Sequence, residues 1–90
     1  MRLNELARLM RTAGDESRLA ILCVIFNHGK ICVSDIAKEL EMSVAIVSHH
    51  LKVMAAKGLL DPRQEGKCAY YLLPRKAFVS DLKNFICKYK

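Results

Sequence analysis

The stretch that decides the fold is SDIAKELEMSVAIVSHHLKVMAAKG, residues 34–58. Ser34 and Ser43 are good helix N-caps, because a serine hydroxyl accepts a hydrogen bond from a backbone N–H of the first turn. Apolar residues follow each serine at helical spacing. The stretch therefore predicts two helices, residues 35–40 and 44–57, joined by a tight turn. This arrangement is a helix-turn-helix.

A hairpin is predicted after the second of these helices. Glu65-Gly66-Lys67 is a polar turn sequence, and residues 68–73 are rich in strand-forming side chains. Two short strands around this turn would form a basic wing beside the helix pair.

Three more helices surround this unit. The first is the amphipathic segment that ends at Gly14, the second runs from Arg18 to His28 after an N-cap at Asp15, and the last covers residues 75–89. The predicted fold class is mainly α with a β-hairpin wing, a winged helix-turn-helix in the order α-α-α-α-β-β-α. We expect residues 1–90 to form a single domain.

The charge of the chain favours a polyanionic partner. The formal net charge is +6, and residues 1–43 contribute nothing to it, since their six basic and six acidic side chains cancel. Residues 44–90 carry nine basic side chains against three acidic ones. A cluster of positive charge of this kind favours binding to phosphate backbones.

The apolar segments are too short for a membrane protein. The longest run, residues 19–26, is far below the roughly 18–20 residues that span a bilayer. The first five residues also lack the apolar stretch of a secretory signal. We therefore expect a cytoplasmic protein with no membrane partner.

The predicted DNA contacts lie on the second helix of the pair and on the wing. The N-terminal part of such a helix enters the major groove, where small or polar side chains reach the base edges. The outward positions of this helix are Ser43, Ala45, Ser48, His49 and Lys52. The wing adds Arg63, Gln64 and Lys67, which suit phosphate or minor-groove contacts.

Several blocks of the sequence resemble the ArsR/SmtB family of repressors. These blocks are Asp15-Glu16-Ser17-Arg18-Leu19-Ala20-Ile21-Leu22, Ile36-Ala37-Lys38-Glu39-Leu40, Ser48-His49-His50-Leu51-Lys52-Val53-Met54, Gly58-Leu59-Leu60, Glu65-Gly66-Lys67 and Tyr70-Tyr71. The resemblance implies a homodimer joined through the first and last helices. It also implies binding to palindromic operator DNA, and repression that a chemical signal relieves. Val44 and Ala45 depart from the family pattern, where polar residues are common.

The four cysteines are widely spaced and include no CxxC pair. In a reducing cytoplasm we expect no structural disulfide framework. Without a CxxC motif or a plausible Cys-His pair, we expect no catalytic activity, and we expect no cofactor. The classical metal sensors of the family carry Cys-x-Cys beside the third helix, where this chain has Cys32-Val33-Ser34 and so lacks half of the site. A metal-responsive repressor that uses Cys32 with other cysteines remains an alternative.

Cys23 and Cys87 are the predicted effector site. One lies within the second helix and the other near the end of the last, which resembles the reactive-sulfur and redox-responsive branch of the family. The effector would be a small oxidant or sulfur species that links the two thiols. Inert core thiols in a regulator without an effector are the competing interpretation. Cys68 on the hairpin offers a further link between wing oxidation and DNA affinity.

Overall fold

A computed structural model describes residues 2–89. Its elements, in chain order, are α1 (Leu3–Ala13), α2 (Glu16–His28), α3 (Val33–Leu40), α4 (Val44–Ala56), β1 (Asp61–Glu65), β2 (Cys68–Leu72) and α5 (Ala77–Tyr89). The predicted order, α-α-α-α-β-β-α, is confirmed. No helix within residues 2–89 has the length and apolar character needed to cross a membrane.

Helix α2 is the centre of the core. Ile21, Leu22 and Ile25 are at most 1% exposed, and α3 and α4 both pack against this helix. The helix begins two residues before the predicted Arg18, because the Asp15 cap fixes its first turn: the Arg18 backbone N–H donates to Asp15 Oδ2 at 3.1 Å. The core therefore forms around a helix whose start is set by one local hydrogen bond.

The turn between α3 and α4 is short and tightly bonded. Glu41 adopts the left-handed conformation with φ 54°, and the Met42 N–H donates to the Ala37 carbonyl at 2.9 Å. Ser43 then caps α4 as predicted, accepting a hydrogen bond from the Ile46 N–H at 3.1 Å. These bonds fix the angle between the two helices.

The predicted cap of α3 at Ser34 is wrong. The helix begins at Val33, and its N-cap residue is Cys32, whose side chain makes no capping hydrogen bond. Cys32 is extended and forms an isolated antiparallel bridge with Tyr70 of β2, so its position is set by the hairpin as well as by the helix. Tertiary pairing here overrides the local preference for serine.

The wing is a two-stranded antiparallel hairpin. Its register pairs Asp61 with Leu72 and Glu65 with Cys68, which leaves Gly66 and Lys67 as the two turn residues. Gly66 has φ 60°, a conformation that suits glycine at the first position of a tight hairpin turn.

The last helix is mostly uncovered. Among its residues Val79 alone is buried, while Phe85 and Tyr89 are 63% and 71% exposed. On α1, Leu3 and Met10 are similarly exposed. We call these four residues the α1/α5 apolar surface. Beside it lies an open, almost wholly apolar groove of about 400 Å³ between α1, α2 and α5.

Asp15 gives the fold a testable dependence on pH. The Arg18 N–H bond, followed by the charges of Arg18 and His50, holds the pKa of Asp15 below its ordinary value of 3.8. Because the folded-state pKa is lower than the unfolded one, this stabilisation is present above the ordinary value and is lost as the pH falls through the folded pKa. Asp15→Asn keeps an acceptor but does not titrate.

We expect the free energy of unfolding, measured by urea denaturation, to fall more steeply for the wild type than for Asp15→Asn between about pH 6 and about pH 3. Parallel curves for the two proteins would contradict this role.

Candidate nucleic-acid interface and thiol sites

Helix α4 turns one side to the core and the other to solvent. Val47, Leu51 and Met54 are fully buried and face the core. Of the predicted contact residues, Ser48 is half-buried, and four are exposed: Ser43, Ala45, His49 and Lys52. The structure therefore brings the polar side chains together on the outer face of α4, while their contact with DNA stays a prediction.

The wing residues Arg63, Gln64 and Lys67 are all exposed, but they differ in their partners. Arg63 Nη1 lies 2.7 Å from Asp61 Oδ1, and the same nitrogen donates to the Pro62 carbonyl at 2.9 Å. Gln64 Nε2 donates to the Gly66 carbonyl at 2.9 Å. Lys67, at the hairpin turn, forms no ion pair with any residue in the range 2–89. Lys67 is therefore the wing cation most available to a phosphate.

Two exposed residues on α4 were not among the predicted contacts. Val44 and Ile46 are 53% and 51% exposed, and they flank Ala45 in the first turn of the helix. The signal was present in the sequence: three consecutive helical residues span about 200° of the helix surface, so they cannot all face the core. Val44 and Ile46 therefore form a small exposed apolar patch, the apolar tip of α4, at the edge of its polar face.

Cys32 and Cys68 form a disulfide, with their Cα atoms 5.7 Å apart. The expectation of a chain without a disulfide is corrected at these two positions. The physical reason is the backbone pairing of Cys32 with Tyr70, which lays the start of α3 against β2 and brings the two sulfur atoms together. The 36-residue separation hid this pairing from the sequence.

A polar cluster accompanies the disulfide where the α2–α3 connection meets the wing. Lys30 Nζ lies 2.7 Å from Glu65 Oε2 and 4.6 Å from the centre of the Tyr70 ring, and the Tyr70 hydroxyl donates to Glu65 at 3.2 Å. The Lys30–Glu65 hydrogen bond raises the pKa of Lys30 and lowers that of Glu65. Because the pair is exposed, solvent screens it, and the covalent bridge is the stronger tie between wing and helices.

The predicted effector pair is not bonded in this structure. Cys23 is half-buried and lines a shallow groove whose other residues are Leu19, Phe85, Ile86 and Tyr89. Cys87 is exposed and does not line this groove, although its neighbour Ile86 does. The structure therefore places Cys23 against the part of α5 that contains Cys87. Both thiols are free.

Residues 2–89 contain no group of three or more His, Cys, Asp or Glu side chains placed to hold a metal ion. Cys32, the residue that the metal alternative requires, has its sulfur bonded to Cys68. While this bond is intact, that sulfur is not a thiolate ligand.

Comparison with known proteins places this arrangement in a family. The family of bacterial regulatory proteins named after arsR matches residues 15–61, just over half of the chain, including the whole helix-turn-helix and the start of β1. The chain belongs to the arsR family. The family and the curated relatives are transcription regulators rather than enzymes, in agreement with the prediction of no catalytic activity.

Individual arsR-family relatives match much of the chain. A homologue of the cadmium resistance regulator CadC from Staphylococcus aureus is 36% identical over 69 residues, which are 77% of this chain and 57% of the relative. CadC from Listeria innocua is 39% identical over 66% of this chain, and the match covers 50% of its own length. The chain thus spans only about half of these curated relatives.

Solved arsR-family structures match almost all of the fold. HlyU from Vibrio cholerae superposes with a TM-score of 0.87 at 25% identity, over 99% of this chain and 97% of HlyU. A homodimeric winged helix-turn-helix DNA-binding domain from Mycobacterium bovis gives 0.82 at 26% identity, over 97% of this chain and 79% of that one. The predicted winged helix-turn-helix fold is confirmed.

The disulfide has a measurable effect on stability. It closes a loop of 36 residues, and restricting the unfolded chain in this way stabilises a fold by about 3–4 kcal/mol. We expect urea denaturation of the oxidised protein to give a free energy of unfolding higher than that of the reduced protein by an amount of this order.

The difference should persist in a Cys23→Ser, Cys87→Ser double variant and disappear in Cys32→Ser. Equal stabilities of the oxidised and reduced wild type would contradict the bridge.

Proposed function

We propose that the chain is a homodimeric, cytoplasmic transcriptional repressor that binds double-stranded operator DNA. The observation that carries the proposal is the outward face of α4 beside the exposed basic wing. Helix α4 would enter the major groove with Ser43, Ala45, Ser48, His49 and Lys52 toward the bases. The wing residues Arg63, Gln64 and Lys67 would contact the adjacent backbone, with Lys67 the most available.

A second copy of the chain is the partner that fits the α1/α5 apolar surface. Leu3, Met10, Phe85 and Tyr89 leave large apolar areas in water. Met10 and Phe85 line the apolar groove between α1, α2 and α5, and the Tyr89 ring packs against Phe85. Exposed apolar patches of this kind are typical of interfaces. The homodimeric relative from Mycobacterium bovis supports the assignment. Two-fold symmetry would present two α4 helices to half-sites about 34 Å apart.

A charge placed in the α1/α5 apolar surface should separate the subunits, because burying an unpaired carboxylate is unfavourable. We expect Phe85→Glu to be monomeric by analytical ultracentrifugation at concentrations where the wild type is dimeric.

Ile46→Glu is the matched control. Ile46 is exposed to a similar degree but lies on α4, so this variant should stay dimeric. A dimeric Phe85→Glu, or a monomeric Ile46→Glu, would count against the assigned surface.

We propose that oxidation of Cys23 and Cys87 weakens DNA binding and so relieves repression. Cys23 lines a shallow groove together with Phe85, Ile86 and Tyr89 of α5, so a rotation of that helix would bring Cys87 toward it. A low-molecular-weight disulfide would take two protons and two electrons from the two thiols and leave as two thiols. Alternatively, two low-molecular-weight persulfides would each transfer one sulfur atom to a protein thiol and leave as thiols, and the two protein persulfides would then condense to a trisulfide with release of hydrogen sulfide. Linking α5 to α2 would move the dimer surface and, with it, the spacing of the two α4 helices. Similarity to HlyU, one structure of which is of the reduced protein, supports a redox response.

A second candidate is the Cys32–Cys68 pair, and the bridge itself favours it. The bridge fixes β2 to the start of α3, so it holds the wing at a constant position relative to the helix-turn-helix. Reduction removes the covalent tie at this junction and leaves non-covalent contacts, among them the Cys32–Tyr70 backbone pairing and the exposed Lys30–Glu65 ion pair. Oxidation of this pair should therefore strengthen DNA binding, which is the opposite of the effect proposed for Cys23 and Cys87.

The opposite signs allow one experiment to separate the two pairs. The probe is a duplex selected from a randomised pool by the reduced protein, and affinity is measured at constant salt before and after treatment with a low-molecular-weight disulfide. If Cys23 and Cys87 are the switch, treatment weakens binding by about 5–150-fold, the range usual for coupled sites, and Cys23→Ser and Cys87→Ser each abolish the change. If the bridge is the switch, treatment strengthens binding, and Cys32→Ser and Cys68→Ser abolish the change.

Unchanged affinity in the treated wild type would contradict both thiol proposals. Release of the same duplex by cadmium or arsenite in the reduced protein would then identify a metal-responsive regulator, and loss of this response in Cys32→Ser would assign Cys32 to it. The similarity to cadmium resistance regulators makes cadmium the first metal to test. No response to any of these agents would identify an effector-independent regulator.

A further inference from the structure

We propose that the first turn of α4 recognises the methyl groups of thymines in the operator, through Val44 and Ile46. The inference rests on the proposed DNA binding and adds the kind of base that the helix reads. Neither side chain has a hydrogen-bonding group, so whatever they contact must be apolar or must lose hydration without compensation.

The exposed apolar residues of the described chain fall into two groups. The large ones are Leu3, Met10, Val44, Ile46, Phe85 and Tyr89. Four of them form the α1/α5 apolar surface, where a second copy of the chain is the proposed partner. Val44 and Ile46 lie apart from it, at the start of α4, among the exposed polar residues Ser43 and His49. Because they are not part of that surface, we assign them a different apolar partner.

The position of the two side chains selects that partner. The N-terminal residues of a recognition helix are the ones that reach base edges in the major groove. The apolar group on those edges is the C5 methyl of thymine; the other groups presented there are hydrogen-bond donors and acceptors. Packing valine or isoleucine against those polar groups would leave them unpaired, which is unfavourable. Thymine is therefore the base that fits this helix tip.

The local structure holds both side chains in place before DNA arrives. Ser43 Oγ accepts from the Ile46 N–H at 3.1 Å, and the Ser43 carbonyl accepts from the Val47 N–H at 3.0 Å, so these two hydrogen bonds fix the backbone of the first turn. Valine and isoleucine are also restricted in χ1 on a helix, so little side-chain freedom is left to lose on binding. A rigid apolar tip can distinguish one methyl group.

The test replaces thymine by deoxyuridine, which differs only by the missing methyl. Duplexes are selected from a randomised pool by the reduced wild-type protein, and each thymine of the selected half-site is then replaced in turn. We expect at least one replacement to weaken wild-type binding by about fourfold, the effect of removing one buried methyl-sized group.

Variants of the protein then assign the effect to residues. A Val44→Ala, Ile46→Ala double variant should bind the thymine and deoxyuridine duplexes equally. Both side chains are about half exposed and α4 keeps its cap, so the fold should be retained. Lys67→Ala is the control: it should weaken binding to both duplexes alike and keep the fourfold difference, since a phosphate contact carries no base information.

The outcomes separate this inference from the function on which it rests. A protein that selects no duplex even at low salt contradicts the proposed function and the inference together. Selective binding with no loss at any deoxyuridine overturns the inference alone, as does a double variant that still discriminates thymine from deoxyuridine.

Discussion

Burial of the apolar residues 21–26 of α2 is the constraint on which the rest of the molecule depends. Because the middle of α2 is apolar on several sides, α3 and α4 both pack on it, and their buried residues Ile36, Leu51 and Met54 complete the core. The two helices of the helix-turn-helix are thus held at a fixed angle by a third. The exposed side chains of α4 are therefore held in a fixed orientation by the packing of α4 on α2.

Features with a local cause were predictable from the sequence. The caps at Asp15 and Ser43, the helical periodicity and the glycine of the hairpin turn each depend on a few neighbouring residues, and together they gave the element order. The inward and outward sides of α4 followed from the same periodicity. The start of α3 was predicted wrongly from local sequence. The N-cap residue is Cys32 rather than Ser34, because Cys32 pairs with Tyr70 of β2, which lies far along the chain.

The parts of the candidate site that depend on long-range contacts were not predictable. The Cys32–Cys68 bond joins residues whose proximity arises only once the hairpin folds back onto the helices. Ile46 was not among the predicted contacts, although three consecutive helical residues, 44–46, cannot all face the core. The surroundings of the predicted effector pair also depend on long-range packing: Cys23 lies against α5, whereas Cys87 is exposed on a helix that contributes one buried residue to the core.

The disulfide also changes the topology of the chain. Every predicted DNA contact, from Ser43 to Lys67, lies inside the covalent ring that Cys32 and Cys68 close, together with α3, α4 and β1. A protease that cuts the exposed hairpin turn of the oxidised protein would produce a nicked molecule whose two pieces stay joined, and α4 would remain tethered to β2. The same cut in the reduced protein would release a separate C-terminal fragment carrying β2 and α5. In the oxidised protein, the helix-turn-helix and the wing would therefore stay covalently joined after such a cut.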